Sequence, residues 1–404
     1  MLAIVARFLR AKSTYARLDH IRRRIEARSL LRLLIVSELK VCIASGIFPP
    51  DKGGPAQFVS AFSQWSSKKG IETSVLSLTD NEDEFRKIGE LSVKLISRQK
   101  SLLVRYLQTI REIVRIGREH TLLINGLFIE TLFASAILRH SYVAKVPGDI
   151  VWERARNQEA TKLDIDRYQG NEDLPKRIMR WLFSQSLKRA KFVLAPSRHM
   201  ASLIEKWGVP RAKIRVVRNS VDSSIFSQTQ IDAYEFDLIT VCRLTPWKGV
   251  SEIIREASAR KLSLCVIGSG PEENSLKRLA SELGGNVTFL GELPQAEIPN
   301  YILKSRCFLL NSAYEGSPHA LLEAMSLGSL VIARDSTGTS EVIVDGRNGL
   351  LCKSSQELGD KLELVFQPKF DALEIKRAAS ETIQRDYDRE KIFDEILEIL
   401  KEST

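Results

Sequence analysis

The chain of 404 residues reads as an α/β protein built from two Rossmann-like, doubly wound parallel-sheet domains. Three observations predict this. The length exceeds the roughly 250–300 residues at which one hydrophobic core stops growing. From residue 40 onward, short β-branched runs alternate with amphipathic stretches, as in parallel sheets covered by helices on both faces. The same alternation starts afresh in the second half of the chain.

In the first half, the strand runs are "KVCIAS" (40–45), "TSVLSL" (73–78), "TLLIN" (121–125), "YVAKV" (142–146), "KFVLA" (191–195) and "KIRVV" (213–217). Between the first two, Phe58, Ala61, Phe62 and Trp65 recur at helical spacing, and Gly70 is placed to end that helix. The second half offers "DLITVC" (237–242), "LSLCVI" (262–267), "NVTFL" (286–290), "RCFLL" (306–310) and "SLVIA" (329–333). Among its helices, 272–284 carries Leu276, Leu279, Ala280 and Leu283 on one face. The polar stretch 218–237 reads as the link. The chain therefore divides into a basic segment 1–39, domains 40–222 and 223–385, and a final segment 386–404. Parallel sheets bind ligands beyond the carboxyl ends of their strands, so two such domains facing each other predict a cleft between them.

Composition narrows the function. Hydrophobic residues make up 44% and charged residues 27%, as in ordinary globular chains. Of the net charge of +10, residues 1–40 supply +7, from ten Lys/Arg against three Asp/Glu. Leu2, Val5, Ala6 and Leu9, then Leu18, Ile21 and Ile25, recur at helical spacing beside Arg22, Arg23, Arg24 and Arg28. Segment 1–39 thus reads either as a solvated basic helix or as a dock on an anionic membrane surface. No aromatic-interleaved basic stripe supports nucleic acid. Apolar runs are far too short to span a bilayer, and "MLAIVARFLRAK" makes a poor signal peptide. The cysteines, Cys42, Cys242, Cys265, Cys307 and Cys352, are scattered and odd in number, which predicts buried free thiols in a reducing cytosol. The expected location is cytoplasmic, peripheral on the inner membrane face.

The loops after the strands carry the chemistry. "SGIFPPDKGGPAQFV" (45–59) brings Gly53 and Gly54 to the start of a helix, whose free N–H groups suit an anion. "CRLTPWKGV" (242–250) sets Arg243 and Lys248 beside another helix start, where two cations suit a diphosphate. "IGSGPEENSL" (267–276) holds Gly268 and Gly270, a weak signal alone. In "NSAYEGSPHALLEAMSLG" (311–328), Glu315 stands in a turn with Gly316, Ser317 and Pro318, and Glu323 about two turns into the following helix. Carboxylates so placed can accept hydrogen bonds from sugar hydroxyls. A fifth loop, 334–351, contains Gly338 and Glu341. The one Asp-x-Asp, "DID" (164–166), has no preceding strand and the five histidines form no cluster, so no metal site and no cofactor is expected.

Taken together, these loops resemble the retaining nucleotide-sugar glycosyltransferases of the GT-B fold, in the large family four group. The resemblance covers about residues 40–404. Its most specific part is "EGSPHALLEAMSLGSLVIARDSTGTSEVIVDGRNGLL" (315–351), with "RLTPWKG" and "GSGPEENSL" upstream in the family's order. It implies that Arg243 and Lys248 bind the donor diphosphate and that Glu315 meets the transferred sugar or the turn amides. Glu323 would take the nucleotide ribose, Gly53 and Gly54 would let the first domain approach the diphosphate, and 386–404 would cross back as a closing helix. Gly268, Gly270, Gly316, Ser317 and Pro318 complete the implied donor site.

The sequence departs from the family at Thr339-Ser340, where glycines are usual, and at His319, where Asn is more common. Many members carry a histidine after the fourth strand, where this chain has Pro147-Gly148-Asp149. "KVPGDIVWERARN" (145–157) resembles a subset of bacterial transferases that build surface polysaccharides. Asp149 then has two readings, a polar group near the reacting sugar or a cap on the next helix. The implied substrates are a nucleotide-sugar donor and a glycan or lipid-linked sugar acceptor. Two other functions compete, a nucleotide-sugar epimerase or phosphorylase on the same fold, and a non-enzymatic basic membrane binder.

Overall fold

The computed structural model describes residues 39–404, apart from Lys52, Arg139, Glu159, 223–233 and Ser317. The basic segment, save Leu39, and the core of the expected link lie outside the described residues. Contacts group the described chain up to Tyr142, with Thr404, as one unit and Val143–Ser403 as a second. This grouping falls well before the sequence-based boundary at 222.

In the first unit, β1 (Lys40–Ser45), β2 (Glu72–Thr79), β3 (Glu84–Ile88), β4 (Leu91–Ser97) and β5 (Thr121–Asn125) form a sheet in the order β3-β4-β2-β1-β5. All neighbours are parallel except the β3–β4 pair. β1 is buried on both faces, with Ile43 opposite Val75 and Leu123, which explains its unbroken apolar run. The helix Gly54–Lys68 buries Phe58, Phe62 and Trp65, and Gly70 follows its end at φ 79°. β3 and β4 are additions to the sequence reading: "EFRKI" is almost wholly exposed, an edge strand whose charges conceal it.

The second unit opens with β6 (Tyr142–Lys145), β7 (Phe192–Ala195) and β8 (Ile214–Val216), joined in parallel in that order. Its larger sheet contains β9 (Phe236–Val241), β10 (Leu264–Ile267), β11 (Val287–Gly291), β12 (Ser305–Leu310), β13 (Leu330–Arg334) and β14 (Leu350–Cys352), in the order β11-β10-β9-β12-β13-β14 and all parallel. Alternate residues of β12 feed two cores: Phe308 and Leu310 pack on one face, Cys307 and Leu309 on the other. Helices therefore cover both faces, which is the doubly wound arrangement. Winding runs one way from β9 through β11 and the other way from β12 through β14. The loops after β9 and β12 consequently part at the switch point, where an open sheet offers a crevice.

The chain ends in helices Leu373–Asp386 and Arg389–Ser403. The latter starts beside Val221, whose amide donates to Tyr387 O at 2.9 Å, and Arg389 pairs with Asp222 at 2.7 Å. All five cysteines are free thiols. Among the described residues, no helix is long and apolar enough to cross a membrane.

Candidate active site

Lys248 and Glu315 meet at the switch point. After β9 the chain makes a short turn, Pro246–Lys248, and Gly249 at φ 62° then starts the helix Val250–Ala259. A Cβ there would strike Asn311, so only glycine serves both backbone and space. Asn311 donates through Nδ2 to Gly249 O at 3.1 Å and to Glu252 Oε2 at 2.7 Å, and Ala313 N donates to Trp247 O at 2.8 Å. These bonds lash the loop after β12 to the loop after β9. Lys248 Nζ thereby comes to 2.5 Å from Glu315 Oε1, both side chains being mostly buried. Burial opposes the Lys248 charge, but Glu315, Cys242 and Glu153 outweigh it and hold the ammonium above the ordinary lysine range. Arg243 is exposed in the same loop, available to a ligand rather than to Glu315.

The glycines of the neighbouring loops act by close approach. Gly268, at φ 128°, leaves no room for a Cβ against Cys242 O, and Gly270 none against Leu244 O. Their loop therefore lies directly on the Arg243 loop, backed by Leu244 N donating to Ser269 O at 2.8 Å. Gly338 lies equally close to Glu315 O. Thr339, in place of a family glycine, is fully buried and accepts from Ser336 N at 3.0 Å, tying this turn internally. Gly316 faces Pro147 O, and Pro318 occupies the cap position of the helix His319–Ser326. Ser317 lies outside the described residues. Glu323 is partly buried, accepts from Gln295 Nε2 at 2.9 Å, and is raised above the usual carboxylate range by burial. Gly53 caps and Gly54 begins the helix Gly54–Lys68 in the first unit.

Asp149 caps a helix. Its carboxylate is fully buried, accepts from Val151 N and Trp152 N at 3.0 and 3.1 Å, and takes both Arg180 prongs at 2.7 Å plus Gln169 at 2.9 Å. These bonds make Asp149 the cap of the helix Ile150–Asn157, the second of its two readings. The side chain that does enter the site is Glu153, one turn further on. Gly148 provides the room, because a Cβ there would overlap the Glu153 carboxylate. Burial, then Asp149, with Glu315 adding and Lys248 opposing, brings the Glu153 carboxyl up to about 7.

Around this acid stand aromatic rings that the sequence reading passed over. Trp152 meets Tyr314 edge-on at 4.9 Å and Trp247 at 6.1 Å, and the Arg156 guanidinium lies over both tryptophans. The Tyr314 hydroxyl is buried with no partner among the described residues, as are those of Ser312 and Thr245. Burial, then Glu153, pushes the Tyr314 phenol well above its usual value. At the end of β6, Lys145 donates to Asn219 Oδ1 at 3.1 Å and is lowered to about 8 by burial. His319 is held near 4 by burial and by Lys145, so it is neutral at neutral pH.

Three further carboxylates have structural partners. Glu341 accepts from Arg198 N and His199 N at 2.8 and 2.9 Å, at the start of the helix Arg198–Lys206, where a negative charge is favoured. Asp164 caps the short helix Ile165–Tyr168, and Asp166 meets His199 Nε2 at 3.1 Å. Among the described residues, no group of three or more His, Cys, Asp or Glu is arranged around a metal position.

Comparison with known proteins bears on the family and the fold. Residues 52–225 match Glycosyltransferase Family 4, and residues 222–382 match Glycosyl transferases group 1. A glycosyltransferase assigned to colanic acid biosynthesis in Escherichia coli K12 is 28% identical over 237 residues, covering 54% of this chain and 58% of that protein. The amylovoran biosynthesis glycosyltransferase AmsK of Erwinia amylovora is 29% identical over 237 residues, covering 54% and 57%. The matched part thus spans under two thirds of these relatives. In fold, the chain is similar to Anabaena Alr3699/HepE in complex with UDP and glucose, with a TM-score of 0.73 and 19% identity, covering 90% of this chain and 100% of that one. Sucrose-phosphate synthase from Thermosynechococcus elongatus gives 0.73 at 16% identity, covering 90% and 98%. With two adjoining family matches running through 52–382 and parallel-sheet α/β architecture throughout, the chain belongs to the family-four type of GT-B glycosyltransferases.

Proposed function

We propose that this chain transfers a sugar from a nucleotide-sugar to a glycan or lipid-linked acceptor in the assembly of a surface polysaccharide, with retention at the anomeric carbon. One observation carries the reading: a buried Lys248–Glu315 pair at the switch point, with the buried hydroxyls of Ser312, Tyr314 and Thr245 in the same loops having no partner among the described residues. Buried hydroxyls without partners are uncommon, and a polyhydroxylated ligand would satisfy them. The UDP-bound Anabaena structure supports a nucleotide-sugar donor, and the colanic acid and amylovoran relatives support a polysaccharide pathway.

Cleavage of the sugar–phosphate bond passes through an oxocarbenium-like state and builds charge on the departing diphosphate. Lys248 and Arg243 supply positive potential where that charge appears, which lowers the barrier. Glu323 accepts from ribose hydroxyls, and Glu315 holds Lys248 in place. In its ionised form, Glu153 accepts from a hydroxyl of the transferred sugar. The acceptor enters on the face the diphosphate leaves, and a phosphate oxygen takes its proton. The two side-chain cations make a metal unnecessary, so activity should survive EDTA. Segment 1–39 docks the enzyme on an anionic membrane, which deletion of that segment and vesicle sedimentation at low salt would test.

The deciding experiment is a panel of UDP-, GDP-, dTDP- and ADP-sugars in thermal shift and turnover. A ligand at a hundredfold excess over Kd stabilises by about 2.7 kcal/mol, so the donor should stand out. Interconversion of the sugar with the nucleotide still attached would favour an epimerase instead. No response to any nucleotide-sugar would overturn the transferase reading.

A further inference from the structure

Behind Asp149 lies a cavity of about 350 Å³, lined among others by Arg177, Arg180, Trp181, Lys188, Lys206 and Trp207. Its cations are of two kinds. Arg180 is committed: it pairs with Asp149 and, through Nε, with Glu172 at 3.2 Å, while its guanidinium lies 4.6 Å over the Trp207 ring. Trp207 in turn donates through Nε1 to Gln169 Oε1 at 2.8 Å. One guanidinium thus faces two carboxylates, Asp149 and Glu172, and Glu172 is the one carboxylate in the cavity lining. Arg177, Lys188 and Lys206 are different, for no carboxylate of the described residues pairs with them. These three cations outnumber the single carboxylate charge that Arg180 leaves over, and a concave site with that balance favours an anion.

One wall of the cavity continues as an apolar stripe. The helix Leu174–Arg189 exposes Leu174, Ile178 and Trp181 at 68%, 52% and 59%, spaced so that they share one face. Trp181 belongs to both the stripe and the cavity. A large exposed apolar run beside a cationic pocket is unusual on a soluble surface. A free anion would use the pocket and leave the stripe bare; a ligand with a charged head and a greasy tail would use both.

We propose that this cavity binds the phosphate of a lipid phosphate, whose chain lies along Trp181, Ile178 and Leu174. The site lies outside the donor loops and deepens the acceptor half of the proposed function, on which it rests only for its consequence. Arg180 joins its floor to Asp149, the cap of the helix that carries Glu153, so the cavity and the proposed reacting groups are linked through one helix.

The test uses the full chain and calorimetric titration with geranyl phosphate, geraniol and inorganic phosphate, with no donor present. Geranyl phosphate should bind, and the other two should bind at least about tenfold more weakly, since each lacks half of the recognition. Arg177→Glu with Lys206→Glu, and separately Ile178→Ser with Trp181→Ser, should each raise the geranyl phosphate Kd at least about tenfold. All four residues are exposed, so Tm and the nucleotide-sugar shift should stay unchanged. Failure of the wild-type chain to bind geranyl phosphate overturns the proposal. So does equal binding of inorganic phosphate with no effect of the apolar variants, which would mark a free-phosphate site. Sensitivity confined to Arg22, Arg23 and Arg24 variants would place the ligand on the N-terminal segment and also overturn it. If geranyl phosphate binding follows the cavity variants while no nucleotide-sugar binds, the donor reading fails and the cavity stands.

Discussion

Lys248 Nζ lies 2.5 Å from Glu315 Oε1, although 66 residues separate them in sequence. Each partner is mostly buried, so the pair is a structural tie and, under the proposed function, also a preset field for a diphosphate. The two roles are separable. Lys248→Ala should lower kcat by about 10²–10³, or about 2.7–4 kcal/mol, as when one preorganised donor to developing charge is lost. It should also lower Tm, because Glu315 is left buried and unpaired. Adding Glu315→Gln should restore much of the Tm and none of the kcat. Recovery of both together would mean that the lysine acts only through stability.

Glu153 predicts a pH dependence. Its carboxyl is raised to about 7 in the fold, above the value near 4.3 of an unfolded chain. Between those values the folded state keeps a proton that the unfolded state releases. Its contribution to stability is therefore complete below about pH 4 and fades as pH rises through about 7. Glu153→Gln, which never ionises, should gain in Tm relative to wild type across that window and hold a constant advantage above it. If the ionised form positions the sugar, wild-type kcat should rise with pH through about 7, while Glu153→Gln should be slow and lack that limb. A rise retained in the variant would assign the titration to another group.

For Asp149 the expected failure is in folding rather than in turnover. Asp149→Ala removes the acceptor of both Arg180 prongs and of two helix N–H groups. Breaking a buried ion pair from one side costs about 3–5 kcal/mol. Calorimetry should show that loss, with nucleotide affinity of the folded fraction unchanged. A stable variant with a selectively reduced kcat would return Asp149 to the reacting sugar.

What could be read in the sequence follows from how local each signal is. β1 and β5 appear at their observed limits because strands buried on both faces are continuous apolar runs. The loops bearing Arg243, Lys248, Glu315 and Glu323 were visible because strand, turn glycine and helix follow each other within a few residues. β3 was hidden by its exposed charges. The surroundings of Asp149 and Glu153 could not be read because the deciding contacts come from afar: Arg180 is 31 residues from Asp149, and Lys248 and Glu315 supply charges near Glu153. Gly148, which makes room for Glu153, was the one local sign. The ring cluster of Trp152, Trp247 and Tyr314 draws on three separate segments and has no sequence period at all.

The last prediction concerns Glu323. Its carboxylate is raised by burial and held by Gln295, which fixes one oxygen and leaves the other to receive a ligand hydroxyl. A charged acceptor lost from such a bond costs about 1.5–3 kcal/mol. Glu323→Ala should therefore weaken the donor nucleotide about 10–100-fold in titration calorimetry. The ribose assignment makes a sharper demand: the 2′,3′-dideoxy nucleotide lacks both hydroxyls, so wild type and Glu323→Ala should bind it alike. Glu323→Gln should fall between the two, since the amide keeps one acceptor oxygen and loses the charge. An equal loss for ribo and dideoxy nucleotides would mean that Glu323 acts through the helix His319–Ser326 and its packing rather than through the sugar edge of the nucleotide.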